Sequence, residues 1–313
     1  MQVTDPNYDI ELFDYPTSFY GAVVRLCLVE KGILNWKKRT VDIGIRMENY
    51  EPWYFEINSR GVVPTFKHGE DYITDCFRII HYIDQTFPGP SLHFDEVHVN
   101  RQLDDWLLKL YSFPMRELFY SRKIPGIYGT IFEIFKKISF CVRRTFLRYN
   151  ATSNPELARA YSIRLEDVNE WQNVISSPSE SLRLEERMQQ LINELEEDLI
   201  DKNTGKTKEF LIKNHYSLID VLWTVFLARL TCIKLDRMWK DGKHPHVNNY
   251  YKAMKSRASF RQADIWDSLD KRVLCSLFLK SLFPIILKYL LLLVLFIVAC
   301  KYIYDGSKKY LIV

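Results

Sequence analysis

Three short stretches carry residue types that could do chemistry. The first is Tyr15-Pro16-Thr17-Ser18, where a hydroxyl stands at a loop tip just ahead of an apolar run. The second runs from Asn58 to Phe66, a glycine turn leading into a short apolar strand that opens on Pro64. Proline gives no N–H to a ladder, so Pro64 either opens the strand or lies at an edge. The Val63–Pro64 bond is a candidate cis peptide, the one setting in which cis costs little. A cis bond there turns the preceding carbonyl and N–H outward, where they could pair with a peptide-like ligand. The alternative is an ordinary turn and an edge strand. The third stretch is Asp75-Cys76. Asp75 is a good N-cap, and a helix N-terminus offers free N–H groups and a positive dipole end, which suits a carboxylate.

The elements that must hold these residues follow from patterning. Residues 8–13 alternate and read as a strand, broken by Pro16. Ala22 to Lys31 is apolar at helical spacing, with Gly32 as its stop. Asn35 to Ile43 reads as a second strand, and Glu51 to Phe55 as a short helix. The proline-led strand then turns at His68-Gly69-Glu70-Asp71, returns through Tyr72-Ile73, and gives way to a helix from Cys76 to about Thr86. The order β-α-β-α-β-β-α looks like a thioredoxin-type fold, in which the three stretches converge.

These elements resemble the N-terminal domain of glutathione transferases. The resemblance implies that Ser18 takes the place of the catalytic serine, donating to the glutathione sulfur and favouring the thiolate. A serine at a loop tip can equally be a helix cap. The resemblance also implies that Val63, with Pro64, holds the cysteinyl backbone of glutathione, and that Asp75 and Cys76 occupy the Glu-Ser motif gripping the γ-glutamyl carboxylate. Cys76 departs from that motif, since a thiol is a weaker donor than a hydroxyl. Val62 stands where Lys or Gln often assists.

Past the Pro88-Gly89-Pro90-Ser91 linker, strands vanish and helical periodicity takes over. The expected architecture is therefore α+β. A thioredoxin-like domain covers 8–87, an all-helical glutathione-transferase C-terminal domain covers 95–270, and a transmembrane helix follows. Val99 to Tyr111 puts Leu103, Trp106, Leu107 and Leu110 on one face, and Leu182 to Ile200 does the same with Met188, Leu191, Leu195 and Leu199. Ser217-x-x-Asp220 is a capping-box-like helix start, assigned to stability. It is similar to the box that opens a central helix of the glutathione-transferase C-terminal domain, with Lys213 where the preceding loop usually has Gly. His244 and His246 flank Pro245 and lack a third ligand, so no metal is expected.

Residues 122–148 hold seven basic residues against one acidic residue, Glu133. Ile131, Ile134, Phe135, Ile138, Val142 and Phe146 fall on one helical stripe. This basic insert reads as an amphipathic helix, either lying on an anionic bilayer or a protein partner, or packed on the bundle with a solvated basic rim. Nucleic acid is not expected, because no binding module accompanies the patch. The net charge of +4 is too small to suggest nucleic acid by itself, and the six scattered cysteines, none in a CxxC pair, fit a reducing, cytosol-facing environment.

Leu282 to Tyr304 is the membrane-span candidate. Its 23 residues make a helix of about 34 Å, against a hydrocarbon layer of about 30 Å. Lys288 and Lys301 would snorkel to opposite interfaces. With only nine residues after it, such a span is a tail anchor. A buried C-terminal helix is the alternative.

Over residues 8–304 the chain resembles the ganglioside-induced differentiation-associated proteins. The match rests on Glu51-Pro52-Trp53 through Glu70, on Ile79-Ile80-x-Tyr82-x-x-Gln85-Thr86-Phe87, and on Trp239-x-x-Gly242-Lys243-x-Pro245 through Tyr250-Tyr251 to Phe260. It implies an outer mitochondrial membrane protein, mostly cytosolic, that influences mitochondrial shape and fission with weak or absent glutathione conjugation. The endoplasmic reticulum and peroxisome stay open as sites, and a homodimer as an assembly. A membrane-bound glutathione transferase using Ser18 and a metaxin-like import subunit are the alternatives.

Overall fold

The computed structural model describes residues 8–122, 127–213, 215–240, 242–268 and 279–280. The N-terminal part begins with β1 (Ile10–Asp14), α1 (Phe19–Glu30) and β2 (Lys37–Thr40). A 3-10 turn over Glu48–Tyr50 leads to α2 (Pro52–Ile57), β3 (Thr65–His68), β4 (Asp71–Ile73) and α3 (Cys76–Thr86). The four strands are ordered β2-β1-β3-β4. β1 runs parallel to β2 and antiparallel to β3, with Phe13 opposite Thr65. This is the thioredoxin-like arrangement expected from the patterning. The second strand is shorter than expected, because it is a fully exposed edge with a neighbour on one side only.

The helical part contains α4 (Val97–Tyr111), α5 (Met115–Ser121), α6 (Ile127–Ser153), α7 (Ala158–Ser176), α8 (Pro178–Asp198), α9 (Leu218–Cys232), α10 (Arg237–Lys240), α11 (Pro245–Ser256) and α12 (Ala258–Gln262). α9 is buried along nearly its whole length and is the axis of the bundle. α4 and α11 pack on it, the stripes that the sequence marks on α4 and α8 join the same core, and Trp106 and Trp223 meet edge to face. Lys213 does take up the left-handed conformation that glycine prefers, at φ 53°.

A buried ionic knot joins α1, α3 and the linker. Asp84 accepts from Lys31 Nζ at 3.0 Å, from the Leu92 N–H at 2.8 Å and from His93 Nδ1 at 2.5 Å. Burial alone would raise the Asp84 pKa, but these donors hold it at about 2. A folded-state pKa below the unfolded value of about 4 stabilises at neutral pH, and the contribution fades as pH falls from about 4 to about 2. Acid denaturation of Asp84→Asn should accordingly lack part of the wild-type transition in that window. Superimposable acid transitions would show that the knot contributes nothing.

The insert packs on the bundle, but not mainly through the stripe that the sequence marks. α6 packs on α7 and on the N-terminal part through Lys136, Phe140, Arg143, Leu147 and Asn150, all buried. Arg143 donates to Tyr50 Oη at 3.1 Å and to the Ile43 carbonyl at 2.8 Å. Lys136 donates to the Tyr120 carbonyl at 2.9 Å, and Asn150 to the Tyr50 carbonyl at 3.0 Å. The inward cations are therefore spent on acceptors, and Tyr50 answers them. Burial would raise its phenol, yet Arg164 and Arg143 bring it down to about 8. Of the stripe that the sequence marks, Ile134, Ile138 and Val142 face solvent, which departs from a stripe packed on the bundle and leaves that face free for a bilayer or partner.

The chain divides into two units, the first being residues 1–43 and 47–268 and the second 44–46 and 269–313. The expected span at 282–304 lies outside the described residues. Among the described residues, no helix is long and apolar enough to cross a membrane.

Candidate functional site

The β1–α1 loop presents Ser18. Its Oγ accepts the Gly21 N–H at 3.0 Å, so the hydroxyl caps α1. Asp14, at the end of β1, is buried behind it. Burial raises the Asp14 pKa, opposed chiefly by the Arg25 guanidinium. Arg25 pairs with Asp14 and also reaches the carbonyls of Pro16 (3.4 Å) and Ala263 (2.9 Å). Arg229 of α9 donates to the Thr17 carbonyl at 2.6 Å. A Cβ on Gly21 would lie 1.7 Å from Asp14 Oδ1, which explains glycine there.

The Val63–Pro64 peptide is cis, as the sequence suggests. Tyr54 Oη and Asn58 Nδ2 each donate to the Val62 carbonyl at 2.7 Å, fixing the loop from beneath. Asn49 Nδ2 holds the Gly61 carbonyl at 2.8 Å. Among the described residues, no hydrogen bond engages the main chain of Val63. That N–H and carbonyl suit an extended peptide.

Asp75 caps α3, accepting the Arg78 N–H at 3.1 Å. It also accepts from Arg60 at 3.1 Å and from the Tyr111 hydroxyl at the end of α4. Partial burial would raise its pKa, but these donors lower it below the ordinary aspartate value. Burial and the neighbouring carboxylate push the Tyr111 phenol up to about 12. Cys76 points the other way. Its thiol is buried, lies 3.6 Å from the Tyr20 carbonyl, and is pushed well up by burial. It lines a small apolar pocket with Phe19, Phe77, Leu110 and Phe226, among others.

Arg60, Tyr111, Asp14 and Arg25 escaped the sequence reading. Arg60 lies inside the stretch singled out for Pro64. Tyr111 ends a helix read only for its apolar stripe. Arg25 was the detectable one, since a lone guanidinium inside an apolar helical run must find a buried acceptor. Among the described residues, no cluster of His, Cys, Asp and Glu could hold a metal ion.

As a unit, the site offers an unpaired main-chain edge, an Asp–Arg pair and an apolar wall. A zwitterionic amino-acid head could exchange with that pair, its ammonium on Asp75 and its carboxylate on Arg60.

Residues 12–91 match the family described as Glutathione S-transferase, N-terminal domain. The chain is 28% identical to a tetrachloro-p-hydroquinone reductive dehalogenase of Sphingobium chlorophenolicum, over 82% of this chain and 96% of that one. It is 26% identical to human ganglioside-induced differentiation-associated protein 1-like 1, over 87% of this chain and 79% of that one. The solved beta-etherase LigF of Sphingobium sp. strain SYK-6 shares the fold, with a TM-score of 0.61 at 16% identity, covering 81% of this chain and 98% of that one. The chain is glutathione-transferase-like, with a thioredoxin-fold N-terminal domain, a helical C-terminal domain and a likeness to the ganglioside-induced differentiation-associated proteins that runs through both.

Proposed function

We propose that this chain binds glutathione at the cis-proline cleft without turning it over rapidly, and acts in mitochondrial network organisation and fission from the outer mitochondrial membrane. The observation that carries the first half is the state of the three anchors. Val63 is open and Asp75 is charged. The Ser18 hydroxyl, which should lower the thiol's pKa in an efficient transferase, accepts the Gly21 N–H as the cap of α1. Such a cleft can hold a γ-glutamyl thiol peptide without activating its sulfur. The second half rests on the likeness to ganglioside-induced differentiation-associated protein 1-like 1 and on the apolar segment 282–304, which would anchor the chain with its bulk facing the cytosol.

Calorimetry with glutathione tests the cleft. Binding with a Kd of about 1 mM is expected, a free energy near −4 kcal/mol. Asp75→Ala should weaken it about tenfold or more by removing the ammonium partner. Ser18→Ala should leave it within about twofold, because the hydroxyl's own hydrogen bonds stay inside the loop. Loss of binding and of conjugation together in Ser18→Ala would instead favour the membrane-bound transferase. No heat at cellular glutathione concentrations would remove the ligand from the reading. Imaging a tagged copy with and without 282–313, while scoring mitochondrial shape, tests the location.

A further inference from the structure

The outward face of α6 is built unlike the other exposed helix faces. Ile134 is 54% exposed, Ile138 56%, Val142 44% and Tyr149 68%. Ile134, Ile138 and Val142 are four residues apart and Tyr149 lies seven beyond Val142; with Cys141 and Thr145 among them, they form one stripe opposite the buried Phe140, Arg143 and Leu147. The stripe runs about 22 Å along the helix axis. Along one of its edges lie Lys137, Arg144 and Arg148. Among the described residues, none of these three cations takes part in an ion pair, although Arg144 does donate to Gln172. The helix keeps Lys136 and Arg143 inside and leaves aliphatic side chains out, the reverse of what a helix facing water needs.

We propose that this face docks on an anionic lipid bilayer, with Ile134, Ile138, Val142 and Tyr149 in the headgroup region and Lys137 and Arg148 against lipid phosphates. An apolar stripe flanked by unpaired cations is the pattern of a helix lying in a membrane interface. A second copy fits less well, because antiparallel pairing about a two-fold axis would set both basic edges on the same side, where like charges repel. The inference uses the membrane anchorage proposed above: thirteen residues lie between Ser268 and Leu282, at most about 48 Å of extended chain over those fourteen steps, so an inserted tail keeps the body within reach of the surface.

Cys141 lies within the stripe and is exposed, whereas Cys27, Cys76 and Cys232 are buried. In the full chain carrying Cys275→Ser and Cys300→Ser, Cys141 can therefore bear a polarity-sensitive fluorophore. The labelled protein is reconstituted with phosphatidylcholine vesicles, with and without phosphatidylserine, and probed with a water-soluble quencher. Tail insertion is scored separately by resistance to alkaline extraction. Blue-shifted emission and protection from quenching are expected only with phosphatidylserine. Lys137→Ala with Arg148→Ala should shift the docking equilibrium about 30-fold towards the quenched state, at about 1 kcal/mol per cation. Ile138→Asp should abolish protection. Equal quenching on both vesicle types in an extraction-resistant protein overturns the docking and leaves the tail standing. Protection on anionic vesicles in an extractable protein does the reverse. Protection that grows with protein concentration in the absence of vesicles assigns the face to a second copy and overturns the proposal.

Discussion

Replacing Asp220 with alanine is expected to cost several kcal/mol and to lower the melting temperature by roughly 10 °C or more. The carboxylate is fully buried at the start of α9. One oxygen accepts the Leu211 N–H at 3.0 Å and the Tyr250 hydroxyl at 2.7 Å. The other accepts both the N–H and the hydroxyl of Ser217 at 2.9 Å. Truncation leaves these four donors without an acceptor in a place water does not reach, and each orphaned group costs about 1–3 kcal/mol, not strictly additively. Asp220→Asn keeps one acceptor oxygen but turns an N–H₂ toward existing donors, so it should fall between wild type and Asp220→Ala. Thermal unfolding by circular dichroism reads the order. An alanine variant melting with the wild type would mean that the donors find other partners and that the box is dispensable.

The sequence made this residue visible because a capping box is local: Ser217 and Asp220 are three apart and need no knowledge of the tertiary fold. The same holds for the cis Val63–Pro64 bond, the Asp75 cap and the helical stripes of α4 and α8. What escaped reading depends on choices that periodicity leaves open. A 3.6-residue pattern locates the apolar stripe of α6 but not which side faces inward. Here the answer was set by acceptors distant in sequence, the carbonyls of Ile43, Tyr50 and Tyr120, which drew Arg143, Asn150 and Lys136 in. Asp75 was read as a cap, whereas its partners Arg60 and Tyr111 come from a loop and a helix fifteen and thirty-six residues away. Cys76 stood beside it as a candidate ligand group. A side chain at the first position of a helix can turn either way, and the apolar pocket took the thiol.

Arg25→Leu is expected to be nearly as damaging, and to betray its cause through pH. Arg25 is 5% exposed and pairs with Asp14, itself 8% exposed. Removing one member of a buried pair costs about 3–5 kcal/mol, chiefly because the other charge is left uncompensated. Asp14 escapes that penalty by binding a proton. Burial is the leading influence on it and raises its pKa, and the guanidinium is the main opposing influence, so the variant lifts that pKa further. A carboxyl whose folded pKa lies above its unfolded value is stabilising at low pH, and the contribution is lost as pH rises through the folded value. The deficit of Arg25→Leu relative to wild type should therefore be largest at neutral pH and shrink as pH is lowered towards about 5, above the range where exposed carboxylates titrate. Adding Asp14→Asn removes the charge and should recover part of the loss at pH 7 and little at pH 5. The guanidinium also holds the carbonyls of Pro16 and Ala263, and their share of the deficit should persist at every pH. Because those bonds set the course of the loop carrying Ser18, glutathione binding should weaken in the single and the double variant alike. A deficit of the same size at both pH values, unrelieved by Asp14→Asn, would show that Arg25 contributes packing and carbonyl contacts only and that the buried charge behind Ser18 is not what holds this end of the cleft.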